Sequence, residues 1–429
     1  MQPSKTAFII GSGFSKDLCG LPTLTGENSL SSLVIEKLQE HENESVKLFI
    51  NSISSEIKDN IEHLMSYLIQ DNPWSNETEK HLAKASYHVI TDLIHKVLDE
   101  NDQELKTEEE YIQQLFSFWH KYETDVISFN YDTLIEKYTQ KFLKVKKVET
   151  PENKRNAIKT VLIIADEHNK LAQEKEIHIY KKNNIRYIYL KNRSIVTDGL
   201  LSQIHSKLYG ETAPEKSSYI NPLINKLKEK VTLKDIYQIP IPNVNERVGG
   251  LWLNSSRNNS LKLLKLHGST NWLYSGDENL TGEDIRHIPL DRKSSKISLS
   301  GLVRYIIPPV LDKSPFYKNN SLKTQWTKAR EALETANDII IIGYSFPETD
   351  LSTRFMIQQA LKENKKATIH LVSRPQKVVE GGKEKKQTEE EIREESAENL
   401  KEFLKHNLIK VYVPEKSSIV ETCKLLKKK

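Results

Sequence analysis

"TAFIIGSGFSKDLCGLPT", residues 6–23, begins as an apolar run, breaks at Gly11-Ser12-Gly13, and meets a second turn signal at Gly20-Leu21-Pro22. Ala7 to Ile10 show no polar alternation, which is the composition of a strand covered on both faces, as in a parallel sheet. A strand that enters Gly-x-Gly ahead of a helix lets backbone N–H groups approach a phosphate at the positive end of the helix dipole. Gly11, Ser12, Gly13 and Ser15 are therefore candidate ligand-binding residues. The same glycines also serve tight helix–strand packing, and the full Gly-x-Gly-x-x-Gly pattern is not present.

Similar runs recur along the chain: "TDVIS" (124–128), "LKLLKL" (261–266), "DIIIIG" (338–343), "ATIHLV" (367–372) and "IKVYV" (409–413). Helical patterns lie between them, so the expected fold class is α/β: a Rossmann-like, mainly parallel sheet with helices on both faces. Residues 28–120 read as a helical module. Ile53, Ile57, Ile61, Leu64 and Leu68 step by 4, 4, 3 and 4, which predicts one amphipathic helix. Leu82, Val89, Leu93 and Val97 predict another after Asn72-Pro73. Residues 145–258 read as a basic, mixed insertion. The expected organisation is one domain over 1–375 carrying both inserts, with a charged loop, helix and final strand over 376–429 completing it.

The chain has 429 residues and a net charge of +4. Between Lys141 and Asp235, 20 Lys/Arg stand against 11 Asp/Glu, so this stretch holds all of the net positive charge. Such a surface suits an anionic partner such as nucleic acid, or equally a solvated insertion. No apolar run approaches the roughly 18–20 residues of a membrane span. Two cysteines, Cys19 and Cys423, cannot form a four-cysteine zinc site, and the expected location is cytoplasmic.

Three further stretches carry polar residues at strand ends, where ligands sit in open α/β sheets. In "DVISFNYDTLIEKY" (125–138), Asn130 and Asp132 follow a strand; Asp132 also suits the start of the next helix. In "LKLLKLHGSTNWLYS" (261–275), His267 follows a strand, where an imidazole can take a proton near neutral pH. In "DIIIIGYSFPETD" (338–350), Gly343, Tyr344 and Ser345 top the most apolar strand.

In their order and local sequence, these four stretches resemble the bacterial, zinc-free branch of the sirtuin-like family, its antiviral-defence NADase branch. The shared pattern is Gly-x-Gly-x-Ser with Gly-Leu-Pro, then Phe-Asn-Tyr-Asp, Lys-Leu-His-Gly-Ser-x-Asn-Trp, Pro-Pro and Gly-Tyr-Ser-x-Pro-x-x-Asp, over residues 8–351. The resemblance implies that Gly11, Gly13 and Ser15 hold the pyrophosphate of NAD, and that Gly343 and Ser345 line the dinucleotide. It implies that Asn130 lies by the nicotinamide ribose, Asp132 by the carboxamide, and that His267 is the general base. It gives Asp350 no role beyond fixing its loop.

Phe129 stands where a deacetylase-type sirtuin has Gln, Thr23-Leu24-Thr25 where it has Asp-Phe-Arg, and the paired zinc cysteines are missing. The implied activity is accordingly NAD hydrolysis to nicotinamide and ADP-ribose, without zinc, rather than deacylation. The implied setting is antiphage defence by NAD depletion, with a homo-oligomer and a separate partner, HerA-type ATPases ahead of short Argonautes. A non-catalytic scaffold binding NAD or ADP-ribose, and an ADP-ribosyltransferase sharing the first step, are the alternatives.

Overall fold

The computed structural model describes residues 5–24, 26, 28–70, 72–101, 105–146, 177–182, 185–190, 228–231, 233–237, 241, 260–274, 285–288, 290, 302–307, 319–347, 350–372, 378–380, 383–385 and 389–427. The chain divides into two units: Met1–Phe142, Leu233–Trp252 and Ser260–Lys429 form the first, Leu143–Thr232 and Leu253–Asn259 the second.

Six strands of the first unit form one parallel sheet: β1 (Thr6–Ile10), β2 (Asp125–Ser128), β3 (Lys262–Lys265), β4 (Asp338–Ile342), β5 (Thr368–Val372) and β6 (Ile409–Tyr412). Their order is β6-β5-β4-β1-β2-β3. The chain winds outward from β1 on one side, returns to β4 beside β1, and winds outward on the other. This is a doubly wound, Rossmann-like α/β fold, and its turning point lies between β1 and β4. The register aligns Ile10 with Ile342 and Ser128, and Ser128 with Lys265, so these strands end on a common C-terminal rim.

Both faces of the sheet are covered along its inner strands, which is why β1, β2, β4 and β5 are nearly all buried, whereas the edge strand β6 is only half-buried. Ile339 to Ile342 are all buried. At roughly 1.5–3 kcal/mol for each buried isoleucine, β4 is a major contributor to the core. On one face, Ile9, Ile127 and Ile341 meet Ala329 and Leu333 of α9 (Asn320–Thr335) and Ile357 and Ala360 of α10 (Leu351–Glu363). On the other, Phe8 packs edge-on against Trp119 at 5.3 Å between ring centres.

The module between β1 and β2 is helical among its described residues. It holds α1 (Ser12–Cys19), α2 (Leu30–Gln39), α3 (Glu44–Ser52), α4 (Ser55–Lys58), α5 (Ile61–Ile69), α6 (Glu77–Glu100) and α7 (Glu109–Lys121). The single helix expected through Ile53 and Leu68 is instead interrupted twice. Ile53 is extended (ψ 143°), and Asn60 is extended while its side chain accepts the N–H groups of Glu62 and His63. Local capping by Asn60 thus overrides the helical spacing of the apolar residues. The helix expected after Asn72-Pro73 is α6, opened by a reciprocal capping box between Asn76 and Glu79.

After β2 comes α8 (Leu134–Phe142), and after β3 an antiparallel sheet of Gly268–Tyr274, Arg286–His287 and Val303–Ile306. Within the charged segment after β5, Val378–Glu380 and Lys383–Lys385 pair antiparallel before α11 (Glu389–Leu404). A final helix, α12, spans Ser418–Lys427. In the second unit, Lys144–Lys146 pairs with Lys228–Lys230, and Ile177–Lys182 with Ile185–Leu190, all antiparallel. Most of the basic insertion, and with it the expected nucleic-acid contact, falls outside the described residues. Among those described, no helix is long and apolar enough to cross a membrane.

The packing of α6 carries a pH dependence. Burial, with the Arg304 guanidinium nearby, pushes His95 down to about 4. Its ordinary value is 6.5, so between these limits the unfolded chain binds more protons than the native one. Stability is therefore lost as pH falls from about 6.5 towards 4, by up to about 3 kcal/mol. Denaturation at pH 7 and pH 4.5 should show His95→Gln losing distinctly less stability than the parent chain over that interval.

Candidate active site at the rim of the sheet

The turning point brings two strand ends into backbone contact. The Gly11 N–H donates to the Ile342 carbonyl at 3.0 Å and the Gly13 N–H to the Gly343 carbonyl at 2.9 Å. A Cβ on Gly11 would lie 2.4 Å from the Gly343 oxygen, and one on Gly13 would lie 2.7 Å from the Gly343 Cα. Gly343 itself has φ +63°, and its Cβ would stand 2.3 Å from the Phe14 nitrogen. Glycine is thus required at all three positions by mutual approach, and at Gly343 by conformation as well. Ser12, the first residue of α1, and Ser345, two residues beyond Gly343, are both exposed.

Beside the glycines, Asn130 and Asp132 hold Ser15. Asn130 Nδ2 donates to the Gly11 carbonyl at 2.9 Å and to Ser15 Oγ at 2.8 Å. Ser15 Oγ donates in turn to Asp132 Oδ2 at 2.7 Å, while Asp132 Oδ1 accepts the Leu134 N–H at 3.0 Å. Capping by Asp132 at the start of α8 and its pairing with Ser15 coexist. Both amide hydrogens of Asn130 are engaged, so Oδ1 is the atom through which its side chain can orient a hydroxyl or a water.

A buried ion pair lies beneath. Lys265 Nζ contacts Glu136 Oε1 at 3.1 Å, each side chain 1% exposed, and donates to the Asp132 carbonyl. Tyr237 OH donates to the same Glu136 oxygen at 3.0 Å, and burial together with that carboxylate drives the phenol pKa well up. Nothing in the sequence pattern marks Lys265 as buried, because a lysine at a strand end reads as solvated. Its partner Glu136, in the first turn of α8, was the available signal.

The third group surrounds His267. Its Nε2 stands 3.4 Å from Asp350 Oδ2, with the side chains 9% and 3% exposed. Tyr344 OH donates to the same Asp350 oxygen at 2.8 Å, and burial keeps this phenol protonated by raising its pKa far above the usual value. The Phe129 ring stacks on Tyr344 at 4.5 Å and meets His267 edge-on at 5.1 Å. The His267 carbonyl accepts the Ile307 N–H, and Tyr131 OH donates to the Ile307 carbonyl, both at 2.9 Å. Gly268, at φ +73° with a would-be Cβ 2.3 Å from the Tyr305 oxygen, makes the turn that follows.

The structure thus gathers the sequence-derived candidates on one rim in two side-chain groups. Ser15, Asn130 and Asp132 form one; His267 and Tyr344 form the other, together with Asp350, which was expected only to fix its loop. Consecutive residues link them: Phe129 to Asn130, and Gly343 to Tyr344. Among the described residues no cluster of three or more His, Cys, Asp or Glu side chains could hold a metal ion. Fold and rim together define a doubly wound parallel α/β protein with a histidine-bearing polar rim at its turning point. Comparison with known protein families and with curated proteins returns no match.

Two measurements test this construction. Gly343→Ala should cost at least about 2 kcal/mol, from the left-handed backbone plus the clash with α1. Ser345→Ala, two residues on and exposed, should change chemical denaturation by less than about 0.5 kcal/mol. Lys265→Met should cost about 3–5 kcal/mol by stranding the buried Glu136 carboxylate, and adding Glu136→Leu should restore much of it, as a denaturation cycle would show.

Proposed function

We propose that this chain is an NAD glycohydrolase of the sirtuin-like kind. The observation that carries the reading is the meeting, on one rim, of the Gly11–Gly13/Gly343 junction with a mostly buried histidine that touches a carboxylate. A dinucleotide placed across the turning point would find Ser12, Ser345 and the amino end of α1 for its pyrophosphate. Because Gly343 fills the space above Gly11 and Gly13, those glycines would act by shaping the floor of the site.

The bond to be broken joins the ribose anomeric carbon to the nicotinium nitrogen. As it breaks, its electron pair returns to the ring, nicotinamide leaves neutral, and the sugar acquires oxocarbenium character. A water oxygen bonds to the anomeric carbon and gives its proton to His267, yielding ADP-ribose. Such a reaction asks for positioning and for one base. The Asn130 Oδ1 is suited to orienting the water or a ribose hydroxyl. Asp132, with both oxygens engaged, would act by fixing Ser15 and α8, and would meet the carboxamide only through remaining lone pairs.

An unrestrained NAD hydrolase would poison its own cell, so the reading includes control by oligomerisation or by a separate partner, with a HerA-type ATPase favoured. Defence by NAD depletion is the setting this implies. Incubation with NAD, alone and with candidate partners, should release nicotinamide and ADP-ribose on chromatography. His267→Ala should reduce turnover by roughly 10²–10⁴-fold with an unchanged melting curve. Undiminished cleavage by a folded His267→Ala chain, or ADP-ribose found on protein or nucleic acid in place of free product, would overturn this reading.

A further inference from the structure

We propose that the face formed by α9, α10 and α11 is the surface through which two copies of this chain associate, with Leu351 and Phe355 at its centre. Self-association of this kind is independent of the NAD reading, and its test involves no turnover.

Among the described residues, six large hydrophobic side chains stand exposed, and only Leu351 and Phe355 share one element. They are 52% and 57% exposed and sit four residues apart, so both crown the same side of α10. Met356, Ile357 and Ala360 on the opposite side enter the core. Single surface hydrophobics are ordinary, whereas a stacked pair makes a patch. Beside it, a cleft of about 380 Å³ between α9 and α10 is lined by Lys323, Trp326, Thr327 and Ser352.

α10 is the middle helix of three. Gln358 Nε2 donates to the Phe403 carbonyl at 2.6 Å, and the Arg354 guanidinium lies 4.1 Å over the Phe403 ring, so α11 is fastened along one flank. α9 packs along the other, across the cleft from Ser352. Each helix leads into a strand of the same parallel sheet, α9 into β4, α10 into β5 and α11 into β6, so all three run in one direction.

The flanking helices differ in charge. α9 carries Lys323, Lys328 and Arg330 against two glutamates, a net +1, while α11 carries seven glutamates against Arg393 and Lys401, a net −5. Along α11, Glu390, Glu394, Glu398 and Glu402 are exposed and step by four. On α9, Lys328 and Arg330 pair with Glu331 and Glu334 of the same helix.

This distribution selects a second copy as the occupant and fixes its orientation. Two copies meeting face to face are related by a two-fold axis lying in the plane of contact. An axis across the helices would set α11 against α11, glutamates facing glutamates. An axis along α10 sets α9 of each copy opposite α11 of the other and Phe355 opposite its own counterpart, which is the complementary choice. Lys323, Phe355 and Glu394 all lie in the first half of their helices, so Lys323 comes level with Glu394 of the partner subunit. Three helices about 20 Å long and about 9 Å apart offer roughly 600 Å² per copy, about 1,200 Å² in total, the lower end of specific interfaces. Such a dimer exchanges with its monomer.

The test is sedimentation of the full chain without NAD, from about 1 to 100 µM, where a contact of this size dissociates. The expected result is a monomer–dimer equilibrium that Phe355→Asp weakens at least about tenfold, with an unchanged melting curve because the side chain is exposed. Lys323→Glu and Glu394→Lys should each weaken association by about two- to fivefold, and the chain carrying both should regain most of that loss, because the exchanged charges again face each other across the axis. A parent chain that stays monomeric throughout that range, or a dimer indifferent to Phe355→Asp in a folded chain, would overturn the proposal. So would charge substitutions whose effects add in the double variant instead of cancelling. Each of these outcomes leaves the hydrolase reading to its own assay.

Discussion

The contact on which the rest of the rim depends is the approach of two backbones, Gly13 to Gly343, at the place where the sheet changes direction. Any Cβ there meets backbone at 2.3–2.7 Å, and backbone cannot rotate away as a long side chain can. This approach sets the height of α1 above the sheet, and Ser15 on α1 is what Asn130 and Asp132 hold. Displacing the glycines would therefore move the first helix, the Ser15 cluster and the start of the Tyr344 loop together.

Beneath that contact the site is stiffened by polar groups that are costly to bury and are placed where they must pair. Lys265 reaches across from β3 to Glu136 and to the carbonyl of Asp132, so the last turn of one strand fixes the first turn of α8. Such a pair is weak evidence for net stability, because desolvation offsets most of its Coulomb gain. What it supplies is a single arrangement: neither charge has a comparable alternative, and the Asp132 loop is held accordingly. Asp350 is buried likewise, and its Oδ2 accepts the Tyr344 hydroxyl.

Much of the fold was legible because its signal is simple. Strands covered on both faces must be continuously apolar, and all six runs read from the sequence lie in the one sheet, to within a residue or two at their ends. The candidate residues were legible for the related reason that strand ends of such a sheet share one rim. Two kinds of information were not available. Side-chain direction was one: Asn130 turns its amide inward to Gly11 and Ser15, and the Asp350 carboxylate accepts the Tyr344 hydroxyl instead of capping α10, neither of which spacing can reveal. Competition between local signals was the other, since Asn60 opens a new helix at Ile61 where the apolar positions alone would carry one helix straight through.

The most direct test of the account is a crystal structure of the chain soaked or grown with ADP-ribose, the product of the proposed reaction. The account predicts its pyrophosphate between Ser12 and Ser345, across the β1/β4 turning point, and its terminal ribose towards Asn130 and His267. Binding at any other surface, or a pyrophosphate at the turning point with the ribose directed away from His267, would contradict it.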